Sequence, residues 1–144
     1  MMKTSVKRIS MFLGTSMLVF GILKFIDPFK TWYHTQVVSS GLPLQDFSYW
    51  SGQLGEIIVG LLFLYTTLLP QSNQRTKWIF LTANMLTTVM MLVAVYVHIH
   101  PDVPHDVLPL KIKPPIIPLI FGVLPILNVY LEREAVFGKG QIAN

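Results

Sequence analysis

The fold is decided by residues 49–69, whose sequence is YWSGQLGEIIVGLLFLYTTLL. This run contains one charged residue, Glu56, and as a helix it would be about 31 Å long at a rise of about 1.5 Å per residue. That length matches the hydrocarbon core of a bilayer, which is about 30 Å thick. Pro70 follows directly and predicts the end of the helix. The stretch is therefore predicted to span a membrane.

Three further apolar segments predict three further spans, at about residues 9–26, 78–99 and 116–131. The first follows a basic N-terminus, as the apolar part of a signal peptide would. It is long, however, and no small-residue cleavage triplet follows it, so we expect an uncleaved span. The predicted fold class is all-α, a four-helix transmembrane bundle, formed as a single domain over residues 1–144.

The composition of the chain agrees with a membrane location. Of its 144 residues, 52% are hydrophobic and 12% are charged, about half the ~25% charge of a soluble domain. Four spans leave no room for a separate soluble catalytic domain. The chain has no cysteine, which excludes disulfides, thiolate metal sites and thiol exchange by this chain itself.

The positions of lysine and arginine predict the orientation of the bundle. Seven basic residues lie in the N-terminus, the loop around Arg75 and the C-terminal tail, whereas three lie in the other two loops. Because positive loops stay inside, both termini are expected in the cytoplasm, with the protein in a bacterial inner (cell) membrane and the lipid bilayer as its surroundings. No basic stripe alternates with aromatic residues, so no nucleic-acid partner is expected.

Each predicted span carries a stripe of small or polar residues at helical spacing. We expect these stripes to face inward, because polar groups are costly against lipid and small residues let helices approach. The stripes are Gly14, Met17, Gly21 and Lys24; Gln53, Glu56, Gly60 and Phe63; Asn84, Thr88, Met91, Val95 and His98; and Pro118, Phe121, Pro125 and Asn128.

Four polar residues of these stripes fall near the outer end of the bundle and form the candidate binding site. They are Lys24, Gln53, Glu56 and His98. We expect them to lie among the aromatic residues Phe20, Phe63 and Tyr96, as an apolar pocket with a few placed polar groups.

Glu56 is the most informative of the four, because a carboxylate inside a span costs about 2.5–3.5 kcal/mol unless it is paired, protonated or hydrated. Lys24 or His98 is the predicted partner. Such a pair could serve only to fix helix register, or Glu56 could handle a proton or contact a ligand, and the residues leave both open. For Lys24 the alternative is a side chain that extends to the interface.

The sequence contains no recognised catalytic motif, so no catalytic residues are assigned. His98 and His100 are two residues apart and point about 200° apart on a helix, so they cannot bind one ion, and no metal is expected. The other histidines, His34 and His105, fall in predicted loops. There is no phosphate-binding loop, dinucleotide fingerprint or zinc-protease motif.

Three short segments resemble the DoxX-like family of small four-helix membrane proteins. They are Gly21-Ile22-Leu23-Lys24-Phe25, Gly41-Leu42-Pro43 and Glu56-Ile57-Ile58-Val59-Gly60. The resemblance covers about residues 9–131 and implies a four-helix fold. Some relatives are linked to thiosulfate:quinone oxidoreduction, others to oxidant and thiol homeostasis through partner proteins, and fold transfers between them better than chemistry.

Two classes of function follow. In the first, the chain is a non-enzymatic membrane scaffold that binds a membrane or extracytoplasmic protein partner. In the second, it is a membrane subunit of a quinone-linked redox system, with a quinone as cofactor in an apolar pocket where Lys24 or Glu56 contacts its oxygens. Transport is a third and weaker hypothesis, because the chain is small.

Overall fold

The computed structural model describes residues 2–69 and 73–138. These residues form five α-helices and two 3-10 turns, without a strand among them. The helices are α1 (Thr4–Leu23), α2 (Phe29–Ser39), α3 (Gln45–Leu68), α4 (Gln74–Ile99) and α5 (Ile116–Phe137), and the turns are His105–Val107 and Pro109–Lys111. Helices α1, α3, α4 and α5 are long and apolar enough to cross a membrane. The all-α class is confirmed, and the four helices able to cross a membrane lie where the spans are predicted.

The helix bounds differ from the predicted ones by a few residues. Helix α1 begins earlier and ends at Leu23, so Lys24 is its C-terminal cap. Helix α3 begins at Gln45 and ends at Leu68. Pro70, the predicted cause of that end, lies outside the described residues. Helix α5 continues to Phe137, beyond the predicted limit near residue 131, because its polar last turns still pack on the N-terminus.

The segment between the first two spans is a helix, which corrects its prediction as a loop. Helix α2 has 11 residues, about 16 Å at the α-helical rise and too short to span. Its sequence mixes aromatic and polar residues, and His34 lies on it rather than in a loop. It packs on α3 and on the first 3-10 turn, where the Gln36 side-chain amide donates to the Val107 carbonyl.

The bundle has two distinct ends. One, called here the capped end, holds α2 and the two 3-10 turns. The other, called the terminal end, holds the start of α1 and the end of α5, which are joined there because Lys3 Nζ donates to the Leu131 carbonyl at 2.7 Å. The Lys3 backbone N–H also donates to Glu132 Oε2 at 3.3 Å. The two described chain ends therefore lie at the same end of the bundle.

Helices α1 and α3 approach closely through their glycines, as their predicted stripes require. A Cβ on Gly60 would lie 2.7 Å from the Leu18 nitrogen, and one on Gly21 would lie 2.7 Å from Ile57 Cγ1. Only glycine permits backbones this close. The four long helices share one apolar core, which consists of Leu13, Met17, Val59, Phe63, Ala83, Met91 and Phe121.

Two buried asparagines of the long helices each donate one hydrogen bond to a neighbouring group. Asn84 Nδ2 donates to the Phe80 carbonyl of its own helix at 2.7 Å, and Asn128 Nδ2 donates to Ser10 Oγ at 2.9 Å. The α5 stripe continues one turn further to Glu132, which is 1% exposed. The sequence analysis missed this carboxylate, although its spacing from Asn128 continues the predicted stripe.

Candidate functional site

An ion pair between α1 and α3 forms the centre of the site. Lys24 Nζ lies 2.6 Å from Glu56 Oε1, and the two side chains are 18% and 12% exposed. The close approach of Gly21 to Ile57 brings the end of α1 beside α3 about three turns from the start of α3, and this positions the pair. The predicted pairing of these two residues is confirmed.

Tyr33 of α2 is a third member of the site, and the sequence analysis missed it because α2 was predicted as a loop. Lys24 Nζ lies 3.9 Å from the centroid of the Tyr33 ring, within the range of a cation–π interaction. The Tyr33 hydroxyl donates to the Tyr49 carbonyl at 3.1 Å. Burial, together with the charge of Glu56 and the neighbouring Tyr49, raises the pKa of Tyr33 far above its ordinary value, so the hydroxyl stays neutral.

Two acceptor oxygens near this pair have no hydrogen-bond donor among the described residues. They are Glu56 Oε2 and Gln53 Oε1, both buried. A buried polar atom without a partner costs about 1–3 kcal/mol. Asn84 and Asn128 also have such an oxygen elsewhere in the bundle, so at this site the two atoms show only that hydrogen-bonding capacity is left unused beside the ion pair.

A cavity of about 530 Å³ lies against the ion pair, between α2, α3, α4 and the end of α1. Its size is within the range of ligand sites in proteins, about 300–1,000 Å³. Its wall is largely apolar, with polar groups gathered near the capped end. Its lining residues include Lys24, Tyr33, Ser48, Gly55, Glu56, Ile58, Val59, Leu86, Val89, Met90, Val93 and His98.

The structure brings three of the four predicted site residues to this cavity. Lys24, Glu56 and His98 line it, whereas Gln53 lines a separate cavity of about 350 Å³ that shares Lys24. His98 Nδ1 lies 2.9 Å from the Ala94 carbonyl and donates to it rather than pairing with Glu56. In a neutral ring, the other nitrogen of His98 is then an acceptor.

The three aromatic residues predicted around the site lie elsewhere, which is a correction. Phe63 is fully buried in the core below the cavity. Phe20 packs against Phe121, with ring centroids 6.1 Å apart. The Tyr96 hydroxyl donates to the Ser40 carbonyl at 3.0 Å. Helical spacing in the sequence does not show whether an aromatic residue packs in the core, at the capped end or in the cavity wall.

Within residues 2–69 and 73–138, no three His, Cys, Asp or Glu side chains come together in a way that could hold a metal ion. His105 and Asp106 form an ion pair at 2.9 Å, but both side chains are about two-thirds exposed in the 3-10 segment, at 65% and 67%. This surface pair is unconnected to the cavity, whose lining residues do not include it.

Comparison of the chain with models of protein families, with curated proteins and with solved structures found no match. The class of protein is therefore defined by the fold and the site alone. It is a helical bundle with four helices able to span a membrane and with an ion pair in the wall of an apolar cavity.

Proposed function

We propose that this chain is a DoxX-like multi-pass membrane protein that binds a small amphipathic molecule in the cavity beside Lys24 and Glu56. The observation that carries the proposal is the ion pair itself, set in the wall of a largely apolar cavity of about 530 Å³. Ligand sites commonly combine an apolar wall with a few convergent polar groups that orient the ligand.

The chemistry of the polar groups suits a quinone. Lys24 Nζ carries three N–H groups, of which one donates to Glu56 Oε1, so a ligand oxygen can take another. Glu56 Oε2 is buried and has no donor among the described residues, so the side chain would have to turn this oxygen toward the cavity to receive a hydrogen bond or a proton from a ligand. A quinone takes up two electrons and two protons to become a quinol, and these two groups suit its carbonyl oxygens and its protons.

The electrons for such a reaction must come from a partner. The chain contains no cysteine, and its described residues hold no cluster of metal ligands. We therefore propose the role of a membrane subunit that holds the quinone, while the redox centre belongs to a partner protein. Lys24 would donate a hydrogen bond to a carbonyl oxygen of the ring, and Glu56 would take protons from water and pass two of them in turn to the quinone as the partner reduces it.

The orientation that we propose places the terminal end in the cytoplasm, across a bacterial inner membrane. Lys3, Lys7 and Arg8 precede or begin α1, and Arg75 and Lys77 begin α4, at the same end of the bundle as the last turns of α5. A concentration of basic residues on one side supports a cytoplasmic location for that side.

A non-enzymatic scaffold is the second candidate function. It is favoured by exposed apolar side chains at the capped end, outside the four long helices. Leu44 and Leu110 are each 77% exposed there. On this hypothesis the capped end binds a membrane or extracytoplasmic protein, and the Lys24–Glu56 pair serves only to hold α1 against α3.

Titration of the purified protein with a ubiquinone or menaquinone analogue distinguishes the two candidates. Intrinsic tryptophan fluorescence should show saturable binding, and Glu56→Gln should weaken it by about tenfold, which is about 1.4 kcal/mol. Asp106→Asn, which removes the exposed ion pair of the 3-10 segment, is the control and should leave binding unchanged. No saturable change up to the solubility limit would reject the quinone site and favour the scaffold.

A further inference from the structure

The cavity has a side that faces the surroundings of the bundle, between α3 and α4. Four of its apolar wall residues are also exposed on the surface of these helices, namely Ile58, Leu86, Val89 and Val93. On helices that span a bilayer, such a surface faces lipid chains. Between these residues, the flexible side chain of Met90 lies over Gly55, where a Cβ would be 3.3 Å from Met90 Cε.

The capped end closes the opposite approach. Val97, Val103 and Leu108 form a small apolar core there, with Leu42 and Val107 packed against it. Lys113 Nζ donates to the carbonyls of His100 and Val103 and so fastens the 3-10 segment to the end of α4. This apolar core and the fastened 3-10 segment cover part of the cavity at the capped end.

The length of the cavity is close to the depth of one bilayer leaflet. It follows α3 from Ser48 to Val59 and α4 from Leu86 to His98, roughly 17 Å along each helix at the α-helical rise. The hydrocarbon depth of one leaflet is about 15 Å. Ser48 and His98 lie at the capped end of these runs, whereas Val59 and Leu86 lie at the deep end.

We propose that the cavity is loaded sideways from the bilayer, through the opening between α3 and α4, and that its occupant is a bilayer-dissolved amphiphile with a polar head and an apolar chain. The head lies beside Lys24 and Glu56, and the chain leaves the cavity past Ile58, Val89 and Val93 to lie among the lipid chains. This inference rests on the proposed ligand site and adds the route of entry and the physical class of the ligand.

Thiol labelling tests the route without requiring the ligand. Because the chain has no cysteine, Gly55→Cys puts one thiol on the cavity wall. In nanodiscs, we expect a bilayer-partitioning maleimide to label this thiol. A charged sulfonate reagent should label it about tenfold more slowly than Leu110→Cys at the capped end, because such reagents react with thiolates that are accessible from water.

A matched pair of variants tests the opening itself. Adding Ile58→Phe to Gly55→Cys should slow maleimide labelling, since Ile58 lies on the exposed cavity wall. Adding Ile126→Phe should not, because Ile126 is similarly exposed, on α5, but does not line the cavity. Val89→Cys, on the facing helix, provides a second labelling position if Gly55→Cys does not fold, and the same order of rates is expected.

Two results would overturn the proposal. One is rapid labelling of Gly55→Cys by the charged reagent at the rate of Leu110→Cys, which would mean entry from water. The other is an equal effect of Ile58→Phe and Ile126→Phe. Neither result bears on the quinone titration, so failure of the route and failure of the proposed ligand are separately visible.

Discussion

Lys24 and Glu56 form an ion pair in which both charged groups are largely buried from water. Their side chains are 18% and 12% exposed, and Glu56 Oε2 has no donor among the described residues. Breaking a buried pair leaves one uncompensated charge, and that cost exceeds the value of the intact pair. Replacing only one of the two residues should therefore lower the free energy of unfolding.

We expect Lys24→Met and Glu56→Gln each to lower the stability of the protein in detergent, by up to about 3–5 kcal/mol. The double variant should recover part of this loss, because it leaves no unpaired charge. Thermal unfolding of the four proteins gives the coupling between the two residues. Asp106→Asn, in the exposed pair, should change stability little, and strictly additive losses at Lys24 and Glu56 would contradict the pairing.

Tyr33 should be the last tyrosine of the folded protein to ionise. Burial, with Glu56 and Tyr49 nearby, raises its pKa above the value in the unfolded chain, near 10. Stability from this group is therefore complete below about pH 10 and is lost as the pH rises toward the folded pKa. An alkaline absorbance titration should lose its final tyrosinate step in Tyr33→Phe, and an unchanged final step would show that another tyrosine is the buried one.

The four spanning helices could be predicted because their determinants are local. Each has a run of apolar residues long enough to cross a membrane, and the small residues of α1 and α3 recur at helical spacing. Helix α2 could not be predicted this way, because its 11 residues mix aromatic, polar and charged side chains and its helix is held by α3 and the 3-10 segment. Tyr33 was missed for the same reason.

Residue periodicity predicted which residues face inward but not what they contact. Gln53 is on the predicted stripe but belongs to a second cavity, and His98 is satisfied by the Ala94 carbonyl of its own helix. Glu132 continues the α5 stripe, but it lies just beyond the predicted end of that span near residue 131. These outcomes depend on helix rotation and on loop contacts, which are set by the tertiary fold.

Of the contacts between helices, the one between α1 and α3 should be the most sensitive to substitution. A Cβ on Gly60 would meet backbone atoms, at 2.7 Å from the Leu18 nitrogen and 2.9 Å from the Gly14 carbonyl oxygen. Gly60→Ala should therefore destabilise the protein by about 1–3 kcal/mol, the usual cost of overpacking.

Gly122→Ala is the matched control for this contact, because its Cβ would lie 3.4 Å from Met91 Cβ, an ordinary contact. Thermal unfolding in detergent should separate the two variants clearly. Equal unfolding temperatures would mean that α1 and α3 are not packed through Gly60 as described.

For the whole molecule, the four spans and the shared terminal end predict an alternating topology. Reporter fusions after Pro70 and after Pro101 should report opposite sides of the membrane, with the first in the cytoplasm, because the segment around Arg75 is basic. Fusions that report the same side would exclude a span between them. Opposite sides in the reverse order would place the capped end in the cytoplasm.

The central claim is that the cavity beside Lys24 and Glu56 holds an amphipathic molecule, and the most direct test is mass spectrometry of small molecules extracted from the purified protein. We expect one amphiphile to be enriched over the bulk membrane lipids in the wild type. It should be lost in Gly55→Leu, whose side chain enters the cavity beside the flexible Met90, and retained in Ile126→Phe. A wild-type extract containing only bulk lipids, or an enriched compound that Gly55→Leu retains in full, would contradict the claim.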